Sequence, residues 1–174
     1  RMKEMMRYGF ILALICTVAS ASLAVVNSLT KSKIMAQEVK EGEASLREVM
    51  PLAIDFQAVK SGKDIIYYRA YAQDGKFIGI AFKAQAKGYS SDIQAMVGLT
   101  KDGTITAIKI LSQNETPGLG AKVAEADFTN QFRNKQNLEK AQAITGATIS
   151  SSAVINSVKK KVEELKNFLK DEPR

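Results

Sequence analysis

Residues 143–154 read AITGATISSSAV, and Thr145, Thr148, Ser150, Ser151 and Ser152 crowd around the pair Gly146-Ala147. Three chemistries would use such a cluster. Ser150, Ser151 or Ser152 would cap a following helix by accepting its free backbone N–H groups, with Gly146 supplying a tight turn into it. That leaves Thr145 and Thr148 unexplained. A phosphate group would suit the free N–H donors and partial positive charge at a helix start, where small Gly146 and Ala147 let a ligand approach. The third use is a hydroxyl oxygen that becomes covalently modified.

A second segment of interest is ETPGLG, from Glu115 through Thr116, Pro117, Gly118 and Leu119 to Gly120. Pro117 would stiffen the loop, and Gly118 and Gly120 would let its backbone run close to a ligand. An ordinary proline–glycine turn accounts for the same residues. Glu115 has two uses: hydrogen bonding to a neighbouring backbone, or setting a local potential.

Composition removes much other chemistry. The chain has no His and a single Cys, so it offers no imidazole dyad, no cysteine–histidine metal cluster and no internal disulfide. No catalytic group and no metal site are expected. Net charge is +7, but the lysines are scattered among acids and the tight run is Lys159-Lys160-Lys161. No nucleic-acid signature accompanies it, so nucleic acid is not an expected partner. A domain beside an anionic membrane surface fits better.

The elements that must position these residues are legible in outline. Runs 64–72 and 76–86 flank Asp74-Gly75, and runs 92–100 and 104–112 flank Asp102-Gly103, giving two hairpins and four antiparallel strands. In the last run Ile105 and Ala107 share one face, and Ile108 and Ile110 the other. Residues 121–132 read as a helix with Val123 and Phe128 among its apolar positions. From 151 to 169, Val154, Ile155, Val158, Val162, Leu165, Phe168 and Leu169 make one apolar helical stripe. The fold class is therefore α+β, an antiparallel β-sheet with packed helices.

Residues 8–30, YGFILALICTVASASLAVVNSLT, carry no charge. As a helix they reach roughly 34 Å at 1.5 Å per residue, enough for a transmembrane helix. Ala19-Ser20-Ala21 resembles a signal cleavage site, but the apolar run continues to Val26, which favours a retained span. Cys16 lacks the small preceding residue of a lipid attachment site. Arg1, Lys3 and Arg7 outweigh Lys31 and Lys33, which keeps the N-terminus cytoplasmic and the bulk of the chain extracytoplasmic in the cell membrane. The expected organisation is a cytoplasmic segment 1–7, a span 8–30, a helical stem 31–48 with a break at Gly42, and a domain over 49–174.

ITGATISS resembles the [ST]-G-A-T-x-[ST] flavin-attachment motif of a family of membrane-anchored subunits. Its members are the G subunit of the Rnf complex and the C subunit of the sodium-pumping NADH:quinone reductase. ETPGLG resembles the segment this family keeps near the flavin, and GYSSDIQAMVGLTKDGTI (88–105) resembles the hairpin before it. With the N-terminal span, the resemblance covers essentially the whole chain.

The resemblance implies FMN bound covalently through its phosphate to Thr148. Thr145, Gly146, Ala147, Ser150 and the ETPGLG residues would be the surrounding cofactor-binding positions. It implies as partners the other subunits of an Rnf-type complex and a separate FAD-dependent, magnesium-requiring flavin transferase for maturation. The function implied is electron transfer within an ion-translocating ferredoxin:NAD⁺ oxidoreductase, the chain not being catalytic alone. The Rnf branch is preferred because the chain is short and lacks sizeable insertions between hallmarks. The alternatives are the quinone-reductase branch or a membrane-tethered, non-redox module for an anionic ligand. One departure stands out. The family often has Asp six residues before the attachment threonine, and here Gln142, which cannot take up a proton as a carboxylate would, occupies that place.

Overall fold

Five strands form one antiparallel meander in the order β1-β2-β3-β4-β5. They are β1 (Asp55–Ser61), β2 (Asp64–Tyr71), β3 (Phe77–Lys87), β4 (Asp92–Thr100) and β5 (Ile105–Ser112). This computed structural model describes residues 2–62 and 64–171. Arg1 of the expected cytoplasmic segment and residues 172–174 of the expected domain lie outside them. Four strands sit where their hairpin signals put them, with Gly75 and Gly103 at positive φ in the turns. Strand β1 went unforeseen. It is a sheet edge, largely exposed, so no alternation marks it. Phe56 and Val59 pack on opposite faces of the sheet.

The register of β5 corrects the sequence reading. Val97 pairs with Ile108 and Leu99 with Ile105, so between these pairs Gly98 of β4 faces two residues of β5, Thr106 and Ala107. The extra residue makes a β-bulge, which re-aims the side chains around it. Ile105, Ile108 and Ile110 consequently pack into one core, while Ala107 and Leu111 pack into the other.

Helix α3 (Thr148–Asp171) covers the first face of the sheet. Val154, Ile155, Val158, Val162 and Leu165 are buried there, but Phe168 is 53% exposed. The expected helix over 121–132 is instead a 3-10 turn (Gly120–Ala124), a single helical turn α2 (Ala126–Thr129) and another 3-10 turn (Asn130–Phe132). Val123 and Phe128 are five residues apart, a spacing that one helix would send to different faces. Glu125 breaks the helix with an extended backbone, and Val123, Phe128 and Phe132 are all buried.

The chain divides into two compact units, 1–41 and 42–174. Helix α1 (Met2–Val49) is unbroken at Gly42, contrary to expectation. A glycine costs a helix only about 1 kcal/mol. Within the second unit the end of α1 belongs to the fold rather than to a stem. Leu46, Val49 and Met50 are buried against Ala70, Ala81 and Met96 on the second face of the sheet. Thr106 Oγ1 donates to the Val49 carbonyl, and Gly98 lies beneath both without room for a Cβ. In the first unit, the stretch Met2–Lys31 is long and apolar enough to cross a membrane.

Candidate functional site

The hydroxyl cluster folds as a turn leading into α3. Ala147 N–H donates to the Ile144 carbonyl at 2.9 Å, and Gly146 takes φ 82° at the third position, the geometry of a type II turn. The first helical bond runs from Ser151 N–H to the Ala147 carbonyl, 3.0 Å. The capping expectation is therefore corrected. Ser150, Ser151 and Ser152 all lie inside the helix, and Ala147 stands at its boundary without a side chain that could cap. Ser151 ties the turn down another way. Its hydroxyl accepts from Ile144 N–H at 2.9 Å and donates to the Ala147 carbonyl at 2.8 Å. The N–H groups of Thr148, Ile149 and Ser150 have no partner within the helix, as at every helix start.

The ETPGLG segment supplies a second turn. Leu119 N–H donates to the Thr116 carbonyl at 3.1 Å, with Pro117 and Gly118 (φ 74°) between them. Proline then glycine is what a type II turn selects. A Cβ at Gly118 would meet no protein atom, so within the protein the glycine answers to its positive φ. At Gly120, by contrast, a Cβ would come within 2.6 Å of Glu115 Oε2 and 3.0 Å of Ser150 Oγ. The two turns touch, since a Cβ on Gly146 would sit 3.6 Å from Leu119 Cδ2.

Glu115 is the hinge pin of this arrangement. Its carboxylate is buried and accepts from Ser90 N–H (3.0 Å), Ser91 N–H (2.9 Å), Tyr89 N–H (3.3 Å), Ser91 Oγ (3.1 Å) and Ser150 Oγ (2.6 Å). None of these donors carries a charge. Burial by itself raises the pKa of Glu115 and is the largest single influence, but the bonds from Ser150, Ser91 and Ser90 together outweigh it. The net result lies below the usual glutamate value. The site thus contains a buried anion held by dipoles.

Around it opens a cleft of about 430 Å³, within the range of roughly 300–1,000 Å³ usual for small-molecule sites. Glu115, Thr116, Leu119, Gly120, Gly146, Ala147, Thr148 and Ser150 line it. Thr145, Pro117 and Gly118 do not; they build the turns that aim their neighbours. Ser150 has its hydroxyl committed to Glu115 rather than offered to a ligand. Gln142 is exposed, and its backbone is clasped by the Gln131 side chain at 2.8 and 3.3 Å. Two lining residues escaped the sequence reading, Tyr89 and Ile149. Gly88-Tyr89-Ser90-Ser91 between two strands is the signal that would have flagged the former. The fit to a flavin phosphate ester is good on the donor chemistry: an exposed Thr148 hydroxyl, free N–H groups beside it, and apolar Leu119 and Ile149 at the opening.

Two family models match the chain: the FMN-binding domain over residues 88–163 and the RnfG N-terminal region over residues 2–49. The G subunit of the Na⁺-translocating ferredoxin:NAD⁺ oxidoreductase complex of Acetobacterium woodii is 31% identical, over 97% of this chain and 95% of its own length. This chain belongs to the G-subunit family. The G subunit of the proton-translocating complex of Clostridium ljungdahlii is similar too, at 32% identity over 90% of this chain and 89% of the relative. The G-subunit branch expected from the sequence therefore holds. The fold is shared with the C subunit of the Na⁺-translocating NADH-quinone reductase of Parabacteroides distasonis (TM-score 0.59, 15% identity, 80% of this chain and 97% of that one). It is shared as well with NqrC of Shewanella oneidensis (TM-score 0.54, 19% identity, 71% and 74%). The FMN-binding match spans both Glu115 and Thr148.

Proposed function

We propose that this chain is the electron-carrying G subunit of an ion-translocating ferredoxin:NAD⁺ oxidoreductase, with FMN joined by its phosphate to Thr148. The observation that carries this reading is the placement of the Thr148 hydroxyl, exposed at the first turn of α3 and opening on a cleft bordered by Leu119 and Ile149. Bound there, FMN supplies the one- and two-electron chemistry that no side chain of this protein can. The chain's own residues bind and orient. The free N–H groups at the start of α3 would hold the remaining phosphate charge, the two glycine turns shape the opening, and Leu119 and Ile149 would offer the ring apolar surface.

An alcohol is a weak nucleophile without a base, so attachment requires a separate flavin transferase. In that step Thr148 Oγ1 gains a bond to phosphorus, the diphosphate bond of FAD breaks, AMP leaves and the hydroxyl proton goes to the transferase. A tethered cofactor cannot be lost to the dilute medium outside the cytoplasm, where the basic N-terminal flank of the span directs the domain. Ferredoxin and NAD⁺ chemistry belongs to partner subunits in the membrane.

Mass spectrometry of the tryptic fragment 141–159 from the native host tests the attachment. The fragment is expected to be heavier by FMN less one water; an unmodified fragment would refute it. Protease added to intact spheroplasts is expected to digest the domain, and protection would reverse the orientation.

A further inference from the structure

Tyr89 stands on the turn between β3 and β4 with 73% of its surface exposed, yet the backbone beneath it is pinned. The N–H groups of Tyr89, Ser90 and Ser91 all end on the Glu115 carboxylate. Gly88 is packed so closely that a Cβ would lie 2.5 Å from Glu115 Oε1 and 2.9 Å from Ile93 Cδ1. A large ring held out on a fixed turn is apolar surface awaiting a cover. Leu119 and Ile149, 50% and 59% exposed, border the same cleft from two other segments. Three large side chains from three parts of the chain thus line the cleft that Thr148 also lines.

We propose that Tyr89 is the aromatic wall of the flavin site, its phenol ring lying against the isoalloxazine, and that Glu115 is the positioning residue that sets it there. This rests on the attachment at Thr148 proposed above. The occupant follows from the tether: a ring system joined at Thr148 is held beside this cleft, which Tyr89 also lines, and an aromatic face is matched by another flat aromatic surface. The same carboxylate that pins the Tyr89 turn also holds Ser150, two residues beyond Thr148. Wall and tether are thereby fixed to each other through one side chain.

A phenol against a flavin quenches its emission: an electron passes from the phenol to the light-excited ring and returns, so nothing is consumed. The chain has no Trp, and among the described residues Tyr89 is the tyrosine that lines this cleft. The measurement is flavin emission of the folded, flavin-loaded full chain divided by emission of the same sample after unfolding in guanidinium, which removes any dependence on loading. Wild type is expected to give a low ratio. Tyr89→Ala and Tyr89→Phe, changes at an exposed position, are expected to raise it several-fold, because neither side chain is a ready electron donor. Glu115→Gln, which loosens the turn, is expected to raise it as well. Equal ratios in wild type and both Tyr89 variants would overturn the wall while leaving attachment intact. A wild-type chain without flavin after denaturation would overturn attachment, and the wall with it.

Discussion

Ser150 Oγ donates a 2.6 Å hydrogen bond to Glu115 Oε2 across 35 positions of sequence. That length is typical of a hydroxyl bound to an ionised carboxylate. The bond couples the first turn of α3 to the ETPGLG loop and, through the other oxygen of Glu115, to the turn at 88–91. The three segments that line the cleft with Thr148 are therefore joined through one carboxylate.

Ser150→Ala removes that bond and leaves a buried carboxylate one donor short. Hydrogen bonds to charged groups contribute about 1.5–3 kcal/mol, so the variant is expected to unfold at correspondingly lower urea concentration. An unchanged midpoint would mean that Glu115 is solvated well enough not to need the serine.

Acid should loosen the same assembly. The folded-state pKa of Glu115 is depressed, so its contribution to stability is fully present above the unfolded glutamate value of about 4.3. It fades as pH falls from there through the depressed folded value. Hydrogen exchange at Ser90 and Ser91 N–H is expected to accelerate over that window relative to β3 and β4. Glu115→Gln should abolish the pH step, and a step that persists in the variant would assign it to another group.

Thr148→Ala separates chemistry from folding. The side chain is exposed, so stability is expected to change by no more than about 0.5 kcal/mol. Covalent flavin, read as fluorescence of the band on a denaturing gel, is expected to vanish. A fluorescent alanine variant would move the attachment elsewhere.

Gly98→Ala probes the other face of the sheet. The new methyl would collide with Thr106 Oγ1, the Val49 carbonyl and Met50 Sδ. Overpacking of this kind costs about 1–3 kcal/mol. The melting temperature should fall, while the covalent flavin proposed at Thr148, on a different part of the fold, is expected to remain. Loss of both together would join the two faces into one cooperative site.

Local signals in the sequence determined a good deal. Apolar length set the spanning helix, Asp-Gly pairs set two hairpins, and the stripe from Val154 to Leu165 set α3, because each depends on neighbours a few residues apart. Residues of the TGAT and ETPGLG segments, conspicuous in the sequence, line one cleft in the fold. Tertiary structure alone decided the rest. The bulge in β5 follows from pairing with β4, the break at Glu125 from the need to bury Val123 and Phe128 together, and the docking of Leu46 and Val49 from a sheet face formed by distant strands. Glu115 is the sharpest case. Nothing near it in sequence says that its carboxylate will be buried, because the charge is tolerated only once Tyr89, Ser90, Ser91 and Ser150 arrive from 24 to 35 residues away to donate to it.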